Sequence, residues 1–232
     1  MDNWLVTGTS RGLGRALCLA LAERGRQVIA LARDREALEQ LAAEQTGILP
    51  MALDLADPQA LRAGLAQCAP LQQGLSGLIN NAGIGWYKPF LEHSAQELAD
   101  LVQINLHAVM QLCQAALPGM LRRGGGHIIN IGSDLGRRPL AKMAPYVASK
   151  HGLVGFSHSL LREYKEQGLR VSLINPGIID TGFGGSDAHG ERDARFFLKP
   201  EQLAALIVSM IEQPDTLVVD EVSVHPALQF EF

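Results

Sequence analysis

Short apolar runs alternate with longer stretches in which apolar residues recur every three or four positions, from one end of the chain to the other. The short runs are WLVTG near Trp4, QVIALA from Gln27, ILPMALD from Ile48, GLINNAG from Gly77, GHIINIGS from Gly126, RVSLINPG from Arg170 and TLVVDEVSV from Thr216. They are rich in Val, Ile and Leu and nearly continuous in apolar character, which predicts strands buried on both faces, as in a parallel sheet. The intervening stretches predict helices from about Arg11 to Arg24, Arg35 to Glu44, Gln59 to Cys68, Ala95 to Met120, Pro145 to Gln167 and Pro200 to Glu212. Alternation of this kind predicts an α/β fold, a doubly wound sheet of seven parallel strands with helices on both faces. The rhythm breaks between Thr181 and Lys199, where Gly182, Gly184, Gly185 and Gly190 interrupt any regular pattern. A loop of that length inside a compact domain reads as a lid or substrate-binding element.

At 232 residues with 47% hydrophobic content, the chain suffices for one well-buried domain spanning 1–232. A formal charge of −4 and the lack of any sustained Lys/Arg run argue against a nucleic-acid partner and leave a small-molecule substrate. No basic-then-apolar leader opens the sequence and no run of about 18 apolar residues occurs, so a cytoplasmic location without membrane contact is expected. Cys18, Cys68 and Cys113 lie far apart without CxxC or Cys/His ligand spacing, which implies neither a disulfide framework nor zinc. His151, His158 and His189 show no ligand spacing either, and no metal is expected.

Gly8, Gly12 and Gly14 fall after the first strand, where a dinucleotide's pyrophosphate meets the amides of a helix N-terminus. Their spacing, TGxxxGxG, departs from the ordinary GxGxxG fingerprint. The end of the second strand, where NAD sites place an acid against the ribose, carries Ala32 followed by Arg33, and Arg11 lies within the glycine turn. Two guanidinium groups there would flank a ribose 2′-phosphate, so NADP(H) is favoured over NAD(H). NAD(H) stays possible because Asp34 is close enough to reach the ribose; its other reading is an N-cap for the helix from Arg35.

Tyr146 and Lys150, in YVASK, stand four residues apart and so share one helix face. An unperturbed phenol, with a pKa of about 10, is only roughly 0.1% ionised at neutral pH. A Lys ammonium beside it favours the ionised form and makes it a tunable acid–base. The same spacing also arises by chance on amphipathic helices. Ser133 ends the apolar run HIINIGS, placing its hydroxyl where it can bond a substrate oxygen.

Taken together, TGTSRGLG, NNAG at Asn80 to Gly83, Asn105, Ser133, YVASK and PGIIDT resemble the short-chain dehydrogenase/reductase family across nearly the whole chain. The compact branch fits, and within it the serine dehydrogenase-like and general carbonyl reductase members. The resemblance implies a Rossmann fold and an NADP-dependent oxidoreductase acting on a carbonyl or alcohol. It implies Tyr146 as general acid/base, with Lys150 stabilising the phenolate and holding the nicotinamide ribose. Ser133 would fix the substrate carbonyl, and Asn105 would hold a water linking the lysine to solvent. The cofactor contacts implied are Gly8, Ser10, Arg11, Gly12, Leu13, Gly14 and Arg33, with Asp54 and Leu55 near the adenine. Asn81, Ala82 and Gly83 would lie beside the adenosine ribose. Tyr146, Lys150, Pro176, Gly177, Ile179 and Thr181 would lie toward the nicotinamide. Asp54 also reads as a strand-end turn residue, and Asn105 as a helix Asn bonded to nearby backbone.

Gly132 departs from the family, since a second Ser is common there, and Asp134, Arg137 and Arg138 charge the following loop. Arg137 and Arg138 either face the pocket, favouring an acidic substrate group, or are solvated loop charges. Trp86, Tyr87, Phe90, Phe183, Phe196 and Phe197 are expected to wall the pocket or pack in the core. Leu153, Val154, Phe156, Leu160 and Leu161 on one helix, and Leu203, Leu206, Ile207, Met210 and Ile211 on another, exceed a single core-facing stripe. The excess, with the family's habit of pairing helices across a twofold axis, predicts a homodimer or homotetramer. Two other functions share these features: a catalytically silent dinucleotide sensor or scaffold, and an enzyme using the cofactor for dehydration or epimerisation.

Overall fold

The computed structural model describes residues 2–183 and 194–229, and within them the seven expected strands form one sheet in the order β3-β2-β1-β4-β5-β6-β7. The strands are β1 (Asn3–Thr7), β2 (Gln27–Ala32), β3 (Ile48–Ala52), β4 (Gly77–Asn80), β5 (Gly126–Ile131), β6 (Leu169–Pro176) and β7 (Glu221–Val224). Every neighbouring pair is parallel, β1 meeting β2 in the register Asn3 to Gln27 and β4 in the register Trp4 to Gly77. Successive side chains enter opposite cores, because side chains alternate across a strand. Trp4 and Val6 join one apolar cluster with Leu17, Leu21 and Ile207, while Leu5 joins the other with Leu112, Met120 and Leu153.

The first cluster is covered by α1 (Gly12–Glu23), α2 (Arg35–Glu44) and α8 (Pro200–Ile211). The second is covered by α3 (Pro58–Gln67), the short α4 (Ala69–Gln73), α5 (Ala95–Val102), α6 (Ala108–Arg122) and α7 (Ala144–Tyr164). Helix α4 is not foreseen by periodicity; Pro70 opens its first turn and Leu71 is fully buried. The last strand is shorter than the run from Thr216, since only Glu221–Val224 pairs with β6. The predicted helix from Ala95 to Met120 is interrupted: Gln103–His107 forms a π turn between α5 and α6, with Asn105 at its centre.

Helix α8 packs on α1 as well as on the sheet, which is why Leu203, Ile207, Met210 and Ile211 are all buried within the chain. Leu153, Val154 and Leu160 of α7 are buried likewise, Phe156 and Leu161 are half-buried, and Leu206 is exposed. Most of the apolar surplus on these two helices is therefore absorbed by the chain's own core. Among the described residues, no helix is long and apolar enough to cross a membrane. Residues 184–193 of the expected loop, with Gly184, Gly185, His189 and Gly190, lie outside the described residues.

Candidate active site

The strand order reverses between β1 and β4, and ligands of open parallel sheets bind at such a switch point, outside the carboxyl ends of the strands. The crevice is held open by hydrogen bonds between those two ends. Asn81 Nδ2 donates to the Thr7 and Gly8 carbonyls at 2.9 and 3.3 Å, and Thr7 Oγ1 accepts from the Asn81 and Ala82 amides, each at 3.0 Å. Thus Asn81 lines the cavity but uses its side chain to brace the glycine turn.

The three glycines are not equivalent. Gly8 has φ +71°, and a Cβ there would lie 2.8 Å from Ala82 Cα, so the turn needs both the left-handed backbone and the space. Gly12 and Gly14 belong to the first turn of α1 rather than to the loop before it. A Cβ on Gly12 would meet Thr181 Cγ2 at 2.7 Å. Gly14 does not line the cavity, and a Cβ on it would overlap the Gly8 carbonyl oxygen and crowd Asn81 Nδ2. Gly14, expected as a cofactor contact, stands where it lets helix and turn pack closely.

A cavity of about 550 Å³ runs from this turn across the sheet ends to Tyr146. Ser10, Arg11, Gly12, Leu13, Arg33, Asp54, Leu55, Ala82 and Gly83 line it at one end, with Pro176, Gly177, Ile179 and Thr181 farther along. Helix α1 starts with no side-chain cap and no acid in its first turn, whereas Asp34, Asp57 and Ser94 cap α2, α3 and α5. Its leading amides are left for an anion, and with Gly8 they form a cradle of the kind that holds a pyrophosphate. Arg11 and Arg33 stand on the same wall. Asp34 accepts the Ala37 amide at 3.0 Å, as a helix cap does, and is absent from that wall. Asp54 holds a turn through the Ala56 amide at 2.9 Å and also lines the cavity. The residues present fit a dinucleotide.

At the other end α7 brings Tyr146 and Lys150 to the cavity, and β5 delivers Ser133. All three are buried. Burial pushes the Tyr146 phenol up to about 12; a hydrogen bond with Ser133 opposes this and the Asp134 carboxylate reinforces it. Burial also brings Lys150 down to about 8. Lys150 Nζ donates to the Ile131 carbonyl at 2.8 Å and sits 5.6 Å from the centroid of the Tyr146 ring. Burial thus works against the ionised form that a neighbouring ammonium favours, and a protonated phenol is the form that donates in reduction.

Asn105 lies behind the wall and does not line the cavity. Its Oδ1 accepts the Ile84 amide at 2.8 Å, and its Nδ2 donates to the Ile84 carbonyl at 2.8 Å and to Ser149 Oγ at 3.1 Å. Ser149 Oγ in turn donates to the Tyr146 carbonyl at 2.8 Å. The backbone-bonded reading therefore describes Asn105 well. The site nevertheless gathers near it, since a Cβ on Gly83 would lie 3.4 Å from Asn105 Oδ1 and 3.9 Å from Lys150 Nζ.

Gly132 and Arg137, two of the departures from the family near Ser133, meet around one carboxylate. Glu221 on β7 accepts two hydrogen bonds from the Arg137 guanidinium, at 3.0 and 2.6 Å, and one from Asn175 Nδ2 at 2.6 Å, with His158 Nε2 3.0 Å away. Asn175, so held, occupies the space that a Cβ at position 132 would need, which is why Gly132 stands there. Arg137 faces Glu221, and neither it nor Arg138 lines the cavity. Of the aromatic residues, Tyr87 and Phe183 line it, the Phe183 ring lying 5.7 Å from that of Tyr146; Trp86, Phe90, Phe196 and Phe197 do not. Gln229 has no local sequence signal, yet it donates to Asp134 Oδ2 at 2.7 Å and accepts the Ile178 amide at 3.2 Å.

Residues 2–192 match the short chain dehydrogenase family. The 3-oxoacyl-[acyl-carrier-protein] reductase of Vibrio cholerae is 37% identical over 179 residues, covering 76% of this chain and 73% of its own. Carbonyl reductase family member 4 of Xenopus laevis is 30% identical over 223 residues, covering 93% and 94%. The closed form of a serine dehydrogenase complexed with NADP+ superposes with a TM-score of 0.91 at 28% identity, covering 99% of this chain and 96% of that one. With its switch-point cradle and buried tyrosine, the chain belongs to the short chain dehydrogenase family and is an NAD(P)-dependent oxidoreductase.

Proposed function

We propose that the protein interconverts a carbonyl and an alcohol on a small molecule with NADP(H), using Tyr146 as the general acid/base. The observation that carries this is the convergence of Ser133, Tyr146 and Lys150 on one cavity whose far end is an anion cradle flanked by Arg11 and Arg33. The NADP+ held by the solved serine dehydrogenase relative supports the choice of cofactor. A bound nicotinamide supplies or accepts the hydride. Ser133 orients the carbonyl oxygen, and Tyr146, protonated through the neutral range, donates to it in reduction. Lys150 would hold the nicotinamide ribose, with Asn105 setting the Ile84 loop and the start of α7 around it. In oxidation the same group accepts the alcohol proton once it has lost its own.

Residues 181–199 are proposed to bind substrate, and the working assembly to be a cytoplasmic homodimer or homotetramer. Leu206, Phe156 and Leu161 are the parts of α7 and α8 still available to a partner. Tyr146→Phe tests the central assignment. It is expected to lower kcat for carbonyl reduction by roughly 10²–10⁴-fold and leave NADPH affinity nearly intact, because only the transferable proton is lost. Retention of more than about a tenth of the wild-type rate would refute the role. No NADPH consumption by the wild type over ketones, aldehydes, hydroxy acids and sugars would favour the silent sensor.

A further inference from the structure

Asp134 follows Ser133 directly and lines the same cavity, and its side chain is 9% exposed. Its carboxylate accepts the Ser133 hydroxyl at 3.2 Å and the Gln229 amide at 2.7 Å, and His225 Nε2 stands 3.8 Å away, too far for a hydrogen bond. No Arg or Lys among the described residues pairs with it. A buried carboxylate whose hydrogen bonds come from a hydroxyl and an amide, with only His225 as a distant ion-pair partner, is costly, and it is bonded to the Ser133 hydroxyl assigned to the substrate oxygen.

Among the described residues, the other charged groups on the cavity wall are Arg11, Arg33 and Asp54 at the dinucleotide end, and Lys150, which is bonded to Ile131. The described wall also carries Tyr87, Leu140, Met143 and Phe183, the last with its ring 5.7 Å from that of Tyr146. An apolar, aromatic compartment with one carboxylate is complementary to an apolar body bearing a cation. An anionic substrate would meet that carboxylate in a low dielectric and be repelled.

We infer that Asp134 is a specificity-determining residue that selects carbonyl or alcohol substrates carrying a protonated amine close to the reacting carbon. This rests on the oxidoreductase reading above. Ser133 would turn its hydroxyl from Asp134 to the substrate oxygen, freeing Asp134 Oδ1 for the ammonium. In reduction the carbonyl carbon gains the hydride and its oxygen gains the Tyr146 proton; the nitrogen keeps its bonds and charge.

The test compares β-aminopropiophenone, butyrophenone and β-benzoylpropionate, which present an ammonium, a methyl and a carboxylate at one place. The wild type with NADPH is expected to prefer the amine over the neutral ketone by about tenfold or more in kcat/KM, and to use the acid least. Asp134→Asn, nearly isosteric and still able to bond Gln229, is expected to bring the amine-to-neutral ratio close to unity. A wild-type ratio at or below unity overturns the inference whether or not the variant folds, and so does a ratio unmoved in a folded variant. Calorimetric binding of the three ketones to the enzyme–NADP+ complex separates this from the broader reading. The same order of affinity without turnover of any ketone would defeat the oxidoreductase proposal and uphold Asp134; no preference in binding would defeat Asp134.

Discussion

Asn81→Ala separates two roles that look alike in the sequence, contact with the cofactor and support of the turn that contacts it. The substitution deletes the two hydrogen bonds from Nδ2 to the Thr7 and Gly8 carbonyls, one at 2.9 Å and one at a weaker 3.3 Å. Leaving a part-buried acceptor unpaired costs about 1–3 kcal/mol, so the stronger bond and a fraction of the weaker give a loss of roughly 2–3 kcal/mol. For a chain of this size each kcal/mol lowers the melting midpoint by about 2–4 °C, which puts the expected fall at roughly 4–12 °C. Asn81→Asp should be worse, because an oxygen replaces the donor and faces two carbonyl oxygens. The assay is a thermal or urea melt of cofactor-free protein, paired with NADPH titration. Both stability and NADPH affinity are expected to fall. If the cofactor-free midpoint is unmoved and affinity alone drops, Asn81 acts by direct contact and the bracing argument is wrong.

Arg33→Ala should weaken NADPH by roughly 1.5–3 kcal/mol, the range for hydrogen bonds to a charged group, and change NADH little; equal losses for both would remove the 2′-phosphate role. The pH profile of kcat/KM for reduction should fall above about pH 8 with Lys150, whose proton is lost there, and show no limb from Tyr146 below about 12. In Lys150→Arg that limb should vanish from the residual activity, and a limb left in place would assign it elsewhere. Gly132→Ser brings in the residue common in the family, yet it should destabilise by about 1–3 kcal/mol, since its Cβ overlaps Asn175. An unfolding free energy equal to wild type would show that Asn175 moves aside freely.

The sheet was legible because its strands are buried on both faces and so read as unbroken apolar runs, from VIALA in β2 to VSLI in β6. Tyr146, Lys150 and Ser133 were legible because each sits at a fixed place on a regular element. What stayed hidden depends on distant partners. Nothing near Arg137 announces Glu221, 84 residues away, and nothing near Asp134 announces Gln229, 95 residues away. Gly14 was read as a cofactor contact because a glycine needed for packing and one needed for a ligand look the same in sequence. The phenol follows the same rule: helical spacing places the ammonium near it, but the burial that raises its pKa is a property of the assembled core.

A π turn holds one residue more than the α turn it replaces. Removing one residue from Gln103–His107 would let α5 and α6 run on as a single straight helix, a repair that helix design rules would recommend. Because the wider turn absorbs the additional residue, the repair would leave the outer faces of α5 and α6 in place and change only the turn that carries Asn105. Asn105 could then no longer meet both Ile84 and Ser149. Length variation among natural or engineered relatives should therefore be accepted before α5 or after α6 and rejected between them, even where the shortened helix itself is the more regular one.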